Sequence, residues 1–401
     1  MDKNAEFLAG IDLGTSKVRI VVGARTETGA VNVVGYGEVD NAGMKKGVVV
    51  DLAGPADAMN AALGPVDQMC GRELHHAVFG VNGDHLETMK VDGMVALPGV
   101  AHKITLGDID WVNKTALTGK VPANRETLEL APFGYSLDGS TSVRDPLGME
   151  GTRLEVRANV ITGLIPYCDN IRKAAEMSKV EVARLTPGIL AAARVVLNEQ
   201  QMDNGVALVD MGATTTSVAI FEGGDLQHLA VVPVGSNRIT NDLAMVLKVP
   251  IEVAEEVKAR FVVLGDSSAK PIMIKRGQLD MPFSRREVLE IVEACLGDDI
   301  FAGVRAQLKK SGYDRKLPEG VVLIGGGARL RGLEDYARER LELAVRIGVP
   351  KALGGISKDI EKPEYATAVG LMMAMGVDGG EMGKSGGGLF KKLLAKIFPG
   401  E

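Results

Sequence analysis

The stretch FLAGIDLGTSKVRIVVGA, residues 7–24, places an apolar strand on each side of the turn DLGTSK. A second stretch, GVALVDMGATTTSVAIFEGG at residues 205–224, repeats the same order of apolar strand, Asp-x-Gly turn and apolar strand. Asp12 aligns with Asp210 in this comparison, and both turns are rich in hydroxyl side chains. The two stretches therefore predict an internal duplication of halves rather than a short-period repeat.

Both turns carry residue types that bind phosphate. Glycine lets backbone N–H groups approach phosphate oxygens closely. Thr and Ser hydroxyls add donors, and Lys17 adds a positive charge. The carboxylates of Asp12 and Asp210 would repel phosphate unless a hydrated Mg²⁺ lies between them. One such turn is also common in plain β-hairpins, so the evidence for phosphate binding comes from the pair.

A third glycine-rich turn occurs in EGVVLIGGGARLRGLEDYARERL, residues 319–341. An apolar strand from Val321 to Ile324 runs into Gly325, Gly326 and Gly327, and a helix is expected from about Leu333. Bare backbone at these glycines would let a nucleoside lie against the turn. An ordinary strand-to-helix turn would have the same sequence pattern. This stretch therefore indicates nucleotide binding only in combination with the two hairpins.

Composition limits the class of protein. The 401 residues are 46% hydrophobic and 24% charged, which fits an ordered globular chain of two or more domains. A net charge of -6 argues against a general nucleic-acid binder. Cys70, Cys168 and Cys295 are scattered, without metal-ligand spacing or a disulfide framework, which fits a reducing compartment. No secretion signal and no transmembrane stretch are recognised, so we expect a cytosolic protein.

The last segment, GGGLFKKLLAKIFPGE at residues 386–401, predicts an amphipathic helix behind a flexible glycine tether. It is too short to span a bilayer, which takes about 20 residues. One interpretation is a last helix docked on the core; the other is an interfacial helix on an anionic membrane. The membrane-binding candidates are Leu389, Phe390, Leu393, Leu394, Ile397 and Phe398 on one face and Lys391, Lys392 and Lys396 on the other.

Taken in this order, the two hairpins and the glycine turn resemble the ATPase fold shared by actin, heat-shock chaperones and sugar kinases. Two more segments resemble the helices that hinge its lobes: VARLTPGILAAARVVL at residues 182–197 and PEYATAVGLMMAMG at residues 363–376. The resemblance implies an α/β, actin-like fold of two ribonuclease H-like lobes, with ATP and Mg²⁺ in the cleft. A peptide-binding region, as in the chaperones, and a clear acidic base, as in the sugar kinases, are not found.

The region between the first hairpin and the first hinge helix points to one family among the proteins with this ATPase fold. HHAVFGVNGDHLETMKVDGMVAL (residues 75–97), ITLGDIDWVNKTAL (104–117) and DPLGMEGTRLEV (145–156) place strands around one helix. They closely resemble the small α+β domain inserted into the first lobe in the FtsA family of bacterial cell-division proteins. The resemblance to this family covers residues 7–377, and the tail resembles its membrane-targeting helix.

The resemblance implies a division of the chain into subdomains. The nucleotide-binding subdomains would be 1–83 with 163–204 in the first lobe and 205–240 with 318–378 in the second. An inserted SHS2-type interaction subdomain would occupy 84–162, and a small subdomain of the second lobe 241–317. A flexible linker at 379–388 would lead to the amphipathic membrane-targeting helix at 389–398.

The resemblance also assigns nucleotide roles to individual residues. Asp12 and Asp210 would orient hydrated Mg²⁺. Glu255 and Lys258 would reach the ribose or base, although they also read as an exposed helix pair. The phosphate-binding residues would be Gly14, Thr15, Ser16, Lys17, Gly212, Ala213, Thr214 and Thr215, and the adenosine would lie against Gly325, Gly326 and Gly327.

The function implied by the family is an ATP-binding scaffold of cell division. It would tether FtsZ filaments to the cytoplasmic face of the inner membrane at the septum, self-associate like actin, and help recruit later division proteins. The FtsZ C-terminal tail would dock on the second lobe's small subdomain, where Arg285, Arg286 and Lys309 could meet its acidic ends. A solvated basic face is the alternative interpretation of these three residues.

The second hairpin departs from the family pattern, which has more glycines and a second Asp. Ala213 and Thr214 stand where glycines are usual, and Ser217 stands at the Asp position. Side chains at close-approach positions would crowd the γ-phosphate, so we expect ATP binding with slow hydrolysis or none. A Thr-rich second hairpin also fits an alternative, the actin-like protein of the type IV pilus inner-membrane platform. A kinase of a small metabolite is a third class.

Overall fold

Two large β-sheets, one in each half of the chain, form the framework of the fold. This computed structural model describes residues 6–27, 29–99, 101–140, 143–276, 279–351 and 353–376. In chain order the strands are β1 Phe7–Leu13, β2 Lys17–Arg25, β3 Val31–Asp40, β4 Met44–Lys45, β5 Val48–Val49, β6 His76–Val81, β7 Glu87–Ala96, β8 His102–Lys103, β9 Arg125–Leu137, β10 Glu150–Gly151, β11 Arg153–Leu164, β12 Glu181–Pro187, β13 Val206–Met211, β14 Thr216–Glu222, β15 Asp225–Val232, β16 Ile272–Arg276, β17 Leu279–Phe283, β18 Val321–Ile324, β19 Val345–Ile347 and β20 Gly354–Gly355.

The helices cover these sheets and join the two halves. In chain order they are α1 Ala53–Cys70, α2 Leu106–Leu117, α3 Ile165–Met177, α4 Gly188–Val196, α5 Glu199–Asn204, α6 Asn237–Leu247, α7 Ile251–Phe261, α8 Arg285–Ala294, α9 Ala302–Lys310, α10 Leu333–Leu341 and α11 Ala366–Met375. A π-helical segment, Cys295–Phe301, joins α8 to α9, and 3-10 turns occupy Gly326–Arg329, Ser357–Asp359 and Pro363–Tyr365.

The strand order confirms the predicted duplication. The first sheet runs β3-β2-β1-β6-β12, with β20 at its edge, and the second runs β15-β14-β13-β18-β19. In both sheets three antiparallel strands are followed by two parallel ones. The register pairs Asp12 with Arg19 in the first hairpin and Asp210 with Ser217 in the second. The two halves therefore place their aspartates at equivalent positions.

The small inserted α+β domain is also present, between β6 and α3. Its sheet has the order β7-β11-β9, and α2 packs on β7 with Gly93 against the helix. A Cβ at Gly93 would lie 2.7 Å from the backbone N of Ala116, so this contact requires glycine. A capping box between Thr105 and Asp108 fixes the start of α2.

The two lobes meet at helices α4 and α11, which pack directly on each other. A Cβ placed on Gly370 of α11 would lie 2.1 Å from the carbonyl oxygen of Ala191 in α4. A Cβ placed on Gly10 of β1 would lie 2.2 Å from the backbone N of Met372. Small residues thus bring the helix backbones together between the sheets, and a continuous buried cluster includes Phe79 of the first lobe and Leu208 of the second.

The first hinge helix is shorter than the resemblance implied. Residues 182–187 belong to β12, and the helix begins at Gly188. Pro187 explains the boundary, because proline disfavours helical backbone in the residue before it. The second hinge helix begins at Ala366 after a 3-10 turn.

The end of the chain, residues 377–401, lies outside the described residues. The predicted linker at 379–388 and the amphipathic helix at 389–398 both fall there, so their conformation stays a prediction. Among the helices that the structure does describe, none has the length and apolar character needed to cross a membrane.

Candidate functional site

A cavity of about 1090 Å³ lies between the two lobes. Both sheets contribute to its walls, together with helices α6 and α7. Thr214 is the one nucleotide or metal candidate that does not line it. The candidates that do are Asp12, Gly14, Thr15, Ser16, Lys17, Asp210, Gly212, Ala213, Thr215, Glu255, Lys258, Gly325, Gly326 and Gly327.

The two hairpin turns have the same backbone geometry. The N–H of Gly14 donates to the carbonyl of Lys17 at 3.0 Å, and the N–H of Gly212 donates to the carbonyl of Thr215 at 2.9 Å. A Cβ on Gly14 would lie 2.8 Å from the carbonyl oxygen of Lys17, and a Cβ on Gly212 would lie 2.9 Å from the carbonyl oxygen of Thr215. Both turns therefore need glycine at this position, and they face each other across the cavity.

The hairpin tips touch across the mouth of the cleft. The hydroxyls of Thr15 and Thr214 are 2.9 Å apart, and Asn237 donates from Nδ2 to Oγ of Ser16 at 3.3 Å. Thr214 thus occupies the space between the tips rather than lining the cavity. Two of the hydroxyl groups predicted to meet phosphate, those of Thr15 and Thr214, are thus engaged with each other in this arrangement.

Lys17 is held by carboxylates of its own lobe. Its Nζ lies 2.7 Å from Asp40 and 3.6 Å from Glu38, and its side chain is 37% exposed. A phosphate in the cavity would compete with these two partners. Because the contacts are partly exposed and therefore weak, the lysine can be released at low cost.

Asp12 and Asp210 form the acidic floor of the cavity. Asp12 accepts a hydrogen bond from Asn82 at 3.4 Å, and Asp210 accepts one from Thr367 at 3.3 Å. Burial, and then the nearby charge of Asp12, raise the pKa of Asp210 to about 7. Burial also raises the pKa of Asp12. Two neighbouring carboxylates that resist ionisation form a donor set that suits a hydrated divalent cation.

Arg19 is a site residue that sequence reasoning missed. It lines the cavity, pairs with Glu38 at 2.7 Å, and its positive charge partly offsets the rise in the pKa of both aspartates. The signal was available in the hairpin alignment, since Arg19 is the register partner of Asp12, and the equivalent position in the second hairpin is Ser217. Asn82 and Thr367 were also missed.

The third glycine turn closes the cavity beside Asp210. Gly325 has φ of 86°, and a Cβ there would lie 2.2 Å from Oδ1 of Asp210. A Cβ on Gly327 would lie 2.9 Å from Cβ of Met211. A Cβ on Gly326 would meet nothing within 4 Å among the residues that the structure describes. Gly325 and Gly327 are therefore required by packing, whereas Gly326 presents bare backbone to open space.

Glu255 and Lys258 form the opposite wall with Thr240. Lys258 Nζ lies 2.6 Å from Glu255 and 2.7 Å from the Thr240 hydroxyl, which itself donates to Glu255 at 2.6 Å. Lys258 is only 8% exposed. The alternative of a fully solvated helix pair therefore does not hold for the lysine, and the triad forms a preorganised polar surface.

A buried polar chain connects the cavity to the inserted domain. The carbonyl of Asn82 contacts Nε2 of His85 at 3.1 Å, and the backbone N–H of Leu164 donates to Nδ1 of the same ring at 3.2 Å. Arg125 donates to the carbonyl of His85 and, at 2.8 Å, to the Thr162 hydroxyl. The segments that enter and leave the inserted domain are thus linked by hydrogen bonds, through His85, to Asn82, which donates to Asp12.

The three residues proposed to meet a partner peptide differ in exposure and in their contacts within the protein. Arg285 pairs with Asp266 at 3.0 Å, donates to two backbone carbonyls, and has a side chain only 16% exposed. It is therefore bound within the protein, and its contact with a partner peptide stays a prediction. Arg286 is 89% exposed. Lys309 is also exposed but lies 23 residues further along the chain, at the end of α9, beyond the π-helical segment that follows α8.

The fold defines a class: this is an actin-like protein with two duplicated α/β lobes and a cleft between them. Solved structures show the same fold. The PilM-PilN type IV pilus biogenesis complex matches with a TM-score of 0.66 over 92% of this chain and 98% of that one, at 16% identity. MreB 5 of Spiroplasma citri bound to AMPPNP matches with a TM-score of 0.55 over 91% and 94%, at 12% identity.

Sequence comparison gives the family. The model of the SHS2 domain inserted in FtsA matches residues 83–162, and that of cell division protein FtsA matches residues 207–370. Cell division protein FtsA of Pseudomonas aeruginosa is 35% identical over 92% of this chain and 89% of its own length. That of Bacillus subtilis is 30% identical over 92% and 83%. The chain belongs to the FtsA family of cell-division proteins, as the sequence motifs predicted.

Proposed function

We propose that this chain binds ATP with Mg²⁺ between its lobes and tethers FtsZ filaments to the cytoplasmic face of the inner membrane at the septum. Family membership over 92% of the chain carries the proposal. The fold neighbour of the type IV pilus shares 16% identity, so that likeness extends to the fold alone. Self-association into filaments and recruitment of later division proteins are part of the same proposal.

The cleft supports the nucleotide part of this function. Two equivalent hairpins can hold one triphosphate from both sides, and Gly326 leaves bare backbone for the nucleoside. Asp12 and Asp210 would hold hydrated Mg²⁺, which supplies positive charge against the phosphates. The MreB 5 neighbour of the same fold was solved with AMPPNP bound. A triphosphate held by both lobes would fix their relative angle, and a fixed angle favours head-to-tail association.

The tail supplies the membrane contact in this scheme. An amphipathic helix with three lysines on its polar face binds anionic lipid weakly and reversibly. Many copies in a filament would make the attachment strong although each contact is weak. The FtsZ tail would dock on the small subdomain of the second lobe, where Arg286 and Lys309 are exposed cations on the α8–α9 run. ATP acts here as a structural ligand and switch more than as fuel.

A liposome assay tests the tether. Anionic liposomes, ATP and labelled FtsZ are mixed with the full chain or with a version that ends at Gly386, and only the full chain is expected to carry FtsZ to the lipid. Leu393→Asp on the predicted apolar face should abolish binding. Ala395→Asp adds the same charge to the predicted polar face and should weaken binding far less. A full chain that binds lipid but leaves FtsZ in solution would contradict the proposed partner.

Slow ATP hydrolysis is the second expectation for this site. Ala213 and Thr214 replace glycines where backbone approaches phosphate, and the Thr214 hydroxyl contacts Thr15 across the mouth of the cleft. We expect turnover below about 1 s⁻¹, the lower end for kinases. A phosphate-release assay measures it, and the double variant Ala213→Gly with Thr214→Gly should be faster. Wild-type turnover of several per second would contradict this expectation.

A further inference from the structure

Glu364 carries a buried carboxylate oxygen that the proposed phosphate and Mg²⁺ contacts do not use. The residue lines the cavity and is 5% exposed. Its Oε1 pairs with Arg329 at 3.2 Å, whereas Oε2 is buried without a hydrogen-bond partner among the described residues. A buried charged oxygen that lacks a partner is costly, so such a group is expected to receive a donor when the site is filled.

The position of Glu364 is fixed by the glycine turn. The N–H of Gly325 donates to the carbonyl of Pro363 at 3.0 Å, and the 3-10 turn that contains Glu364 leads directly into α11. Gly326, beside it, leaves open space toward the cavity. The carboxylate is thus held at the end of the cleft where bare backbone is available for a nucleoside.

Charge decides which part of a nucleotide can meet this oxygen. A carboxylate repels phosphate directly, so a neutral donor is the favoured partner of Oε2: a ribose hydroxyl or an amino group of the base. The triad of Thr240, Glu255 and Lys258 stands on the other wall and can serve the ribose. The guanidinium of Arg329, fixed by the same carboxylate and 67% exposed, is a planar group on which a base can stack.

We propose that Oε2 of Glu364 accepts a hydrogen bond from the 6-amino group of adenine and thereby selects ATP over nucleotides without that group. The inference rests on the proposed nucleotide function and adds a base-specificity residue to it. Oε1 of Glu364 pairs with Arg329, and Oε2 binds the base.

The test compares equilibrium binding of ATP, purine riboside triphosphate, which lacks the 6-amino group, and ITP, which carries a carbonyl there. The wild type is expected to prefer ATP over purine riboside triphosphate by about 10-fold or more, the range of a hydrogen bond to a charged group. In Glu364→Gln the amide oxygen must face Arg329, so the amide NH₂ points to the base. The preference for ATP over ITP should then be lost or reversed, whereas Glu364→Ala should lose discrimination.

The controls separate this inference from the proposed function. Glu334→Gln removes a surface carboxylate that pairs with Arg338 at 3.3 Å outside the cavity, and should leave all ratios unchanged. Thermal melting checks that each variant is folded. If the folded wild type binds no nucleotide, the proposed function fails. The base contact is overturned if the protein binds ATP but Glu364→Gln leaves the affinity ratios among ATP, purine riboside triphosphate and ITP unchanged. It is also overturned if the substitution changes only the affinities for 2'-deoxy-ATP and 3'-deoxy-ATP relative to ATP, because the carboxylate would then bind the ribose.

Discussion

Asp210→Asn is expected to weaken binding of ATP with Mg²⁺ by about 100-fold while making the ligand-free protein more stable. The carboxylate of Asp210 is placed to hold a hydrated Mg²⁺ ion, and this ion enters the site together with ATP. In the ligand-free protein it is buried next to Asp12, and its pKa is raised to about 7. The neutral amide removes that repulsion but also removes the charge that orients the hydrated ion. Calorimetric titration and thermal melting at pH 8 measure the two effects.

The pH dependence of this effect has a defined sign. A carboxyl group whose pKa is raised in the folded state destabilises the fold when it is ionised in both states, as at pH 8. As the pH falls below about 7, the folded protein takes up the proton first, and the penalty declines until the unfolded chain is protonated as well, near pH 4. The stability gap between Asp210→Asn and the wild type should therefore shrink from pH 8 to about pH 5.

Asp225→Asn is the matched control, because burial raises the pKa of Asp225 to about 6 at a place outside the cavity. Its substitution should change stability with pH in the same direction but leave ATP affinity unchanged. An Asp210→Asn protein that binds ATP as tightly as the wild type would show that this carboxylate does not serve the ion.

Gly370→Ala is expected to destabilise the fold by about 3 kcal/mol or more. The new methyl group would lie 2.1 Å from the carbonyl oxygen of Ala191, so α11 and α4 must move apart. Gly107→Ala in α2 is the control, because a methyl group there would lie 3.6 Å from Oγ1 of Thr105, an ordinary van der Waals contact. That exchange should stabilise the protein by about 0.5 kcal/mol.

Urea unfolding distinguishes these two glycines. The midpoint should fall for Gly370→Ala and rise slightly for Gly107→Ala. Equal midpoints for both variants would mean that the close contact between the hinge helices does not limit packing. The same contact explains why a glycine stands at position 370, opposite the backbone of Ala191 in α4.

Features with a local signal could be predicted from the sequence. The hairpins around Gly14 and Gly212 were recognisable because strand, turn and strand follow one another within about 20 residues. The turn at Gly325 was recognisable for the same reason. Their convergence on one cavity followed from the resemblance to a known fold rather than from the residues alone.

Residues brought in by tertiary structure had no such signal. Asn82 and Thr367 reach the aspartates from distant elements, and the buried carboxylate of Glu364 looks like an ordinary helix start in sequence. The contacts of Arg285 had no sequence signal either: Asp266 and two backbone carbonyls bind it. The start of α4 was misplaced because the apolar run of the helix was extended back over residues 182–187, which belong to β12.

The central claim, that the cleft is a site for ATP with Mg²⁺, is tested most directly by titrating ATP into the folded full chain. Isothermal calorimetry in Mg²⁺ should show one ATP per chain, and replacement of Mg²⁺ by EDTA should weaken binding strongly. A folded protein that takes up no ATP in Mg²⁺ at concentrations up to about 1 mM would contradict the claim.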